Sequence, residues 1–100
     1  MSALRFATVI LDADSTLSAI EGIDWLAARR GPDVERAVRE HTEAAMRGEI
    51  RLEHVYAARL DSVKPSAEDI RALGDAYCAT VAPDAVRVLQ AGLVVMGCAI

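Results

Sequence analysis

The chain has 100 residues, of which 53% are hydrophobic and 26% are charged, and its formal net charge is −4. This length and composition predict one globular domain, or part of one, rather than a disordered chain. The arginines are scattered and form no basic run, so we expect no nucleic-acid partner. We also expect no membrane partner, because no apolar stretch approaches the length of a membrane span and no signal peptide precedes the first apolar run. Cys78 and Cys98 have no metal-binding spacing, and we expect both to be small buried residues in the reducing cytoplasm.

The first predicted element is a strand over residues 5–11, which leads directly into the sequence D-A-D-S-T at residues 12–16. Alternation along a buried strand would place Asp12 and Asp14 on the same side at its carboxyl end. Ligands bind at the carboxyl ends of strands in open α/β sheets. Two neighbouring carboxylates are costly unless a cation, a shared proton or a reaction uses them. The segment predicts a metal-assisted phosphoryl-transfer site, although two acids at this spacing are also found as a plain polar strand exit.

The chemistry follows from the types of residue in this loop. One carboxylate can attack a phosphate monoester, and the other can protonate the leaving oxygen and later activate water. A Mg²⁺ ion would offset the repulsion between the carboxylates and the phosphate. Backbone N–H groups of the turn, together with the hydroxyl groups of Ser15 and Thr16, can bind the phosphate oxygens.

Apolar periodicity predicts helices over most of the remaining chain. They are expected over residues 21–30, from Pro32 to about residue 48, over residues 52–63, after Ser66, and from Pro83 to Gly92. The fourth of these helices opens with an S-x-x-D capping box at residues 66–69. The apolar run at residues 93–100 is expected to form a second buried strand.

The D-x-D-x-T pattern after an apolar strand resembles the first motif of the haloacid dehalogenase (HAD) superfamily of phosphatases. Residues 12–24, DADSTLSAIEGID, more narrowly resemble the phosphoserine phosphatase branch, which carries D-x-D-S-T, a Glu nine residues after the first Asp, and an I-D pair. The resemblance implies that Asp12 is the nucleophile, which forms an aspartyl-phosphate, and that Asp14 is the acid/base. It also implies that the Asp12 carboxylate and the Asp14 backbone carbonyl bind Mg²⁺.

Residues 42–60 resemble the T-x-x-A-M-x-G-x-(I/L)-x-(F/L)-E segment of the same branch, which is followed by an Arg. In the family this insert forms a helical cap over the active site. By position, Glu21 would contact the amino group of the substrate and Arg59 its carboxylate, and Met46 and Leu52 would close the pocket. A zwitterionic amino acid needs one anion and one cation in a mostly dry pocket. Taken singly, these residues are also ordinary: a first-turn acid, a surface arginine and a core methionine.

The resemblance implies an α/β fold: a partial Rossmann-like HAD core, made of the first strands of a parallel sheet, with an inserted helical-bundle cap. The expected divisions are the start of the core at residues 1–17, the cap at residues 18–80 and the return to the core at residues 81–100. Only the front half of the family pattern is present, and the hydroxyl residue of its second motif should fall near position 99, which is alanine. We therefore expect an incomplete chain that is inactive alone and self-associates through unpaired strand edges.

The sequence as a whole predicts a cytoplasmic, Mg²⁺-dependent phosphomonoester hydrolase that acts on a small phosphoserine-like substrate, which by resemblance is an enzyme of serine biosynthesis. Two alternatives stay open. The same machinery could act on another small phosphate, as a phosphatase or a phosphotransferase. The chain could also be a non-catalytic fragment or half-protein that works only as an interaction partner.

Overall fold

The structure is a computed structural model that describes residues 8–95, with side-chain environments up to residue 92. Within that range the chain forms five α-helices, named α1 to α5 in chain order. Their bounds are Gly22–Arg30, Pro32–Met46, Leu52–Val63, Ala67–Ala79 and Ala85–Val95. The first three begin and end within about two residues of the sequence prediction, and α4 begins where it was predicted, directly after Ser66.

The helix ends follow from local sequence signals. Gly31, with φ 125°, ends α1, and Pro32 begins α2 because its fixed φ suits the first helical position. Lys64 ends α3 in the left-handed region with φ 47°. The predicted capping box of α4 is confirmed, since the Asp69 N–H donates to Ser66 Oγ at 3.1 Å and the Ser66 N–H donates to Asp69 Oδ2 at 2.9 Å.

The core lies between α1, α2, α3 and α4. Helix α1 contacts the other three, and α2 packs along α3. The buried apolar side chains are Leu26, Ala27, Val38 and Val63. Partly buried side chains pack around them, namely Ile23, Trp25, Val34 and Leu73. The hydrophobic core that the structure describes therefore belongs to the helices that were predicted to form the cap.

The predicted α/β fold class is wrong for the described residues, which are all-helical and contain no sheet. Residues 8–11, expected to complete the first strand, form no regular element, and Ile10 is 89% exposed. Within residues 8–95 the β-type pairing is limited to isolated bridges, between Asp14 and Ser18 and between Ser18 and Val81. A strand needs a neighbour to pair its backbone N–H and C=O groups, and no second strand is described beside residues 8–11.

The expected second strand is also wrong where it can be compared, because residues 93–95 continue α5. Alanine, leucine, glutamine and arginine favour the helical state, and Gly92 weakens the helix by about 1 kcal/mol without ending it. In the described part of the chain, α5 packs against none of the other helices. Residues 5–7 and 96–100 of the two predicted strands lie outside the described residues.

The two ends of the α1–α4 unit lie side by side. The Ala19 N–H donates to the Thr80 carbonyl at 2.9 Å, and the Ala82 N–H donates to the Leu17 carbonyl at 2.7 Å. The chain therefore enters and leaves these helices at one place, as it would in an inserted unit. The division at residues 18–80 stays a prediction, and these hydrogen bonds lie at its two limits.

Two further expectations concern the surface. Cys78 is exposed, so its predicted burial is wrong, whereas Cys98 lies outside the described residues. Between residues 8 and 95, no helix combines the length and the apolar character needed to cross a lipid bilayer.

Candidate functional site

The loop that carries the two aspartates is a compact turn. The backbone N–H groups of residues 16–18 all donate to the Ala13 carbonyl, at 3.2, 3.1 and 3.1 Å, and the Ser15 N–H donates to the Ile20 carbonyl at 3.1 Å. Ser15 has φ 54°, in the left-handed region. Because these four N–H groups donate within the loop, the backbone site predicted for phosphate oxygens is closed in this arrangement.

The first aspartate and the two hydroxyl residues form local pairs. Asp12 is exposed, and its carboxylate accepts the Ala13 N–H at 3.0 Å and the Thr16 hydroxyl at 3.2 Å. The Ser15 hydroxyl donates to Glu21 Oε1 at 2.8 Å. Both predicted phosphate-binding hydroxyl groups therefore donate to carboxylates that were predicted to belong to the same site.

The Asp14 carboxylate is held by donors from two helices. Its Oδ1 accepts the Tyr77 hydroxyl of α4 at 2.5 Å, and its Oδ2 accepts the Gly22 N–H at the start of α1 at 3.2 Å. Glu21, the N-cap residue of α1, makes no side-chain cap, so Asp14 satisfies one of the unpaired N–H groups at the positive end of this helix. The hydrogen bond to Asp14, with a contribution from burial, raises the pKa of Tyr77 to about 12.

Asp14 also lines a cavity of about 260 Å³ between the loop and helices α1, α3 and α4. Glu21 and Arg59 line the same cavity, together with Tyr56 and Tyr77. The apolar part of its wall comes from Ile23, Leu26, Leu60, Ile70 and Leu73. Among the described residues, the Nε of Arg59 is buried without a hydrogen-bond partner. An unpaired buried donor is costly to the folded state.

Three of the predicted site residues, Asp14, Glu21 and Arg59, line the cavity, and Ser15 contacts one of them through its hydrogen bond to Glu21. Met46 and Leu52 are 84% and 76% exposed, and neither lines the cavity. They lie at the end of α2 and the start of α3, where they do not close the cavity in this arrangement. Asp12 also lies outside the cavity wall. The two aspartates were expected on the same side of a strand end, but their carboxylates accept hydrogen bonds from different groups.

The magnesium site that the resemblance implies at Asp12 and Asp14 stays a prediction. In residues 8–95 no group of three or more His, Cys, Asp or Glu side chains is gathered. Mg²⁺ is commonly bound through one or two protein oxygens plus several waters. The carboxylate of Asp12 is exposed, and with the backbone carbonyl of Asp14 it supplies two oxygens of this kind. By the resemblance, these two residues would hold the ion.

Sequence reasoning did not identify the two tyrosines of the cavity as site residues. Tyr56 lies three residues before Arg59 on α3, a spacing that places both on one helix face and could have indicated it. Tyr77 shares its stripe on α4 with Ile70 and Leu73, which is the pattern of an ordinary core residue. No local signal indicates that its hydroxyl reaches Asp14.

No protein-family model matches the chain, and no curated protein or solved structure is significantly similar to it. The resemblance to the HAD superfamily therefore depends on the sequence motifs, and the cavity is interpreted from its own residues.

Proposed function

We propose that this chain carries the chemistry of a Mg²⁺-dependent phosphomonoester hydrolase of the HAD type, with a phosphoserine-like amino-acid phosphate as its substrate. One observation carries the proposal: Asp14, Glu21 and Arg59, which come from the loop, the start of α1 and the middle of α3, line one cavity. These are the proposed acid/base and the two residues proposed to bind the amino acid. The D-x-D-S-T motif supplies the proposed nucleophile, Asp12.

The charges around the cavity suit a zwitterion. The Glu21 carboxylate can pair with an ammonium group. The Arg59 guanidinium, which belongs to a residue of the same cavity wall, can donate to a carboxylate. A charge-assisted hydrogen bond of this kind is stronger than a neutral one, and arginine offers several donors in a fixed plane. A substrate that lacks either charge would leave one of these groups without its partner.

The proposed reaction has two steps. A carboxylate oxygen of Asp12 attacks the phosphorus atom as the ester bond breaks, and protonated Asp14 gives its proton to the leaving oxygen, which departs as an alcohol. The Asp14 carboxylate then takes a proton from the water that attacks the aspartyl-phosphate, which releases phosphate and restores Asp12. Bound Mg²⁺ would supply positive charge to offset that of the carboxylates and the phosphate.

The proposal predicts turnover by this chain, in contrast to the expectation that the chain is inactive alone, and the test compares phosphate release from O-phospho-L-serine and from p-nitrophenyl phosphate in the presence of Mg²⁺. D12N should abolish turnover of both. E21A and R59A should raise KM for phosphoserine far more than KM for p-nitrophenyl phosphate, which has no amino-acid group. R36A removes an exposed arginine on α2 and is the matched control. Equal effects on the two substrates would contradict an amino-acid substrate and favour another small phosphate or a phosphotransferase.

A second candidate function, interaction without catalysis, is favoured by apolar surface. Ile10, Val86 and Val88 are 89%, 61% and 55% exposed, and a partner would bury such apolar side chains. This candidate predicts no phosphate release at any Mg²⁺ concentration and self-association that rises with protein concentration. Analytical ultracentrifugation of the chain and of I10S and V86S would test it. An equal monomer fraction in all three would contradict it.

A further inference from the structure

Helix α1 takes its cap from outside the helix. Its N-cap residue, Glu21, makes no side-chain cap, and the Gly22 N–H donates to Asp14 Oδ2, eight residues earlier in the chain. A carboxylate bound by a single donor can still rotate about its side-chain torsions. The second donor, the Tyr77 hydroxyl, binds the other oxygen, so each oxygen of Asp14 has its own donor.

Tyr77 is itself held at both ends. Its backbone carbonyl accepts the hydroxyl of Ser18 at 2.9 Å, across 59 positions of sequence, and Ser18 is 5% exposed. Its ring lies so close to Gly22 that an added Cβ would be 3.1 Å from the ring Cζ and would collide with the hydroxyl oxygen. The hydroxyl therefore reaches Asp14 from a side chain with little freedom to move.

We propose that Tyr77 is the positioning residue of Asp14: it joins α4 to the aspartate loop and holds the Asp14 carboxylate at the cavity wall beside Glu21 and Arg59. The catalytic meaning of this inference rests on the proposed function, because Asp14 is the acid/base only in that reaction. The positioning of Asp14 does not depend on the proposed function, since it follows from the hydrogen bonds of Tyr77 and Gly22 to its carboxylate.

The test uses Y77F, which removes the hydroxyl and keeps the ring, and reads the backbone amide of Gly22 by NMR. With one donor lost, the Asp14 carboxylate turns away from Gly22 for part of the time, so hydrogen exchange of the Gly22 amide should accelerate by roughly tenfold. Y56F is the matched control, because Tyr56 lines the same cavity and makes no described hydrogen bond to Asp14. It should leave the Gly22 amide unchanged.

Repeating Y77F in a chain that already carries D14A distinguishes loss of the hydrogen bond to Asp14 from a general change in packing. In D14A the Gly22 amide has already lost its acceptor, so adding Y77F should cause no further acceleration. If Y77F alone leaves Gly22 exchange unchanged, or accelerates it equally in the D14A background, the proposal is overturned.

A measurement on the unaltered chain covers the case in which Y77F does not fold. The hydroxyl proton of Tyr77 should give a slowly exchanging resonance with a nuclear Overhauser effect to the Gly22 amide, present in Y56F and lost in D14A. Its absence from the unaltered chain would overturn the proposal. Faster exchange of the Gly22 amide in Y77F, in a chain that releases no phosphate, would contradict the proposed hydrolase and support the positioning role. Phosphate release by a chain in which Y77F leaves Gly22 exchange unchanged would support the hydrolase and overturn the positioning role.

Discussion

The hydroxyl group of Tyr77 occupies the space beside Gly22 in which a Cβ atom would have to lie. G22A should therefore destabilise the fold by about 1–3 kcal/mol, the usual cost of forcing extra volume into a packed site. Urea unfolding followed by the fluorescence of Trp25, which packs against the core, measures the change.

The chain supplies a control for that substitution. Gly74 lies within α4 and has nothing within 4 Å of an added Cβ, so G74A should stabilise the chain by up to about 1 kcal/mol through helix propensity alone. In a Y77F background the cost of G22A should fall, because the colliding oxygen has gone. Stabilisation by G22A equal to that by G74A would show that the close contact is not formed.

The capping box of α4 predicts a pH dependence. Hydrogen bonds from the Ser66 N–H and from the Arg29 guanidinium lower the pKa of Asp69 to about 2. The charged carboxylate is therefore favoured in the folded state, so its contribution is complete above the ordinary aspartate pKa near 4 and is lost as the pH falls towards 2. The difference in unfolding free energy between the unaltered chain and D69N should shrink between about pH 5 and pH 2. A constant difference would contradict this prediction.

The helices should contribute unequally to stability. Val63 of α3 is 1% exposed and Val86 of α5 is 61% exposed. V63A removes buried methyl groups and leaves a cavity, so it should cost about 2 kcal/mol. V86A should stay within about 0.5 kcal/mol of the unaltered chain. Similar costs for the two variants in thermal unfolding would indicate that α5 is packed in solution.

Met46 and Leu52 are 84% and 76% exposed, so we expect them to contribute little to substrate binding. Because neither side chain lines the cavity, M46A and L52A should leave the affinity for O-phospho-L-serine unchanged in isothermal titration calorimetry. R59A should weaken that affinity by tenfold or more. A loss of affinity in M46A or L52A would mean that these side chains move over the ligand when it binds.

The sequence was sufficient where the deciding interactions are local. Pro32 and the capping box of Ser66 and Asp69 mark helix starts through contacts within one turn. Strands could not be predicted in the same way, because the apolar run at residues 8–11 becomes a strand only if another strand pairs with it. Residues 93–95 have the same apolar character and extend α5, since a helix satisfies its hydrogen bonds internally.

In the candidate site, too, some residues could be identified from sequence motifs, and others depend on contacts between distant parts of the chain. The family resemblance assigned Glu21 and Arg59 to one substrate, and both residues line the cavity. The bond between Tyr77 and Asp14 spans 63 positions, and neither residue has a neighbour in sequence that indicates the other. Such a contact depends on how α4 packs beside α1, which no pattern along the chain specifies.

The hydrogen bond between Leu17 and Ala82 joins the two ends of the helical unit that lies between them. These two ends are close together, so a helical unit of another length could be inserted at the same place. Changes in the chemistry of the cavity on α3 and α4 can therefore be made by exchange of a whole module, with the aspartate loop at residues 12–16 left as the constant partner.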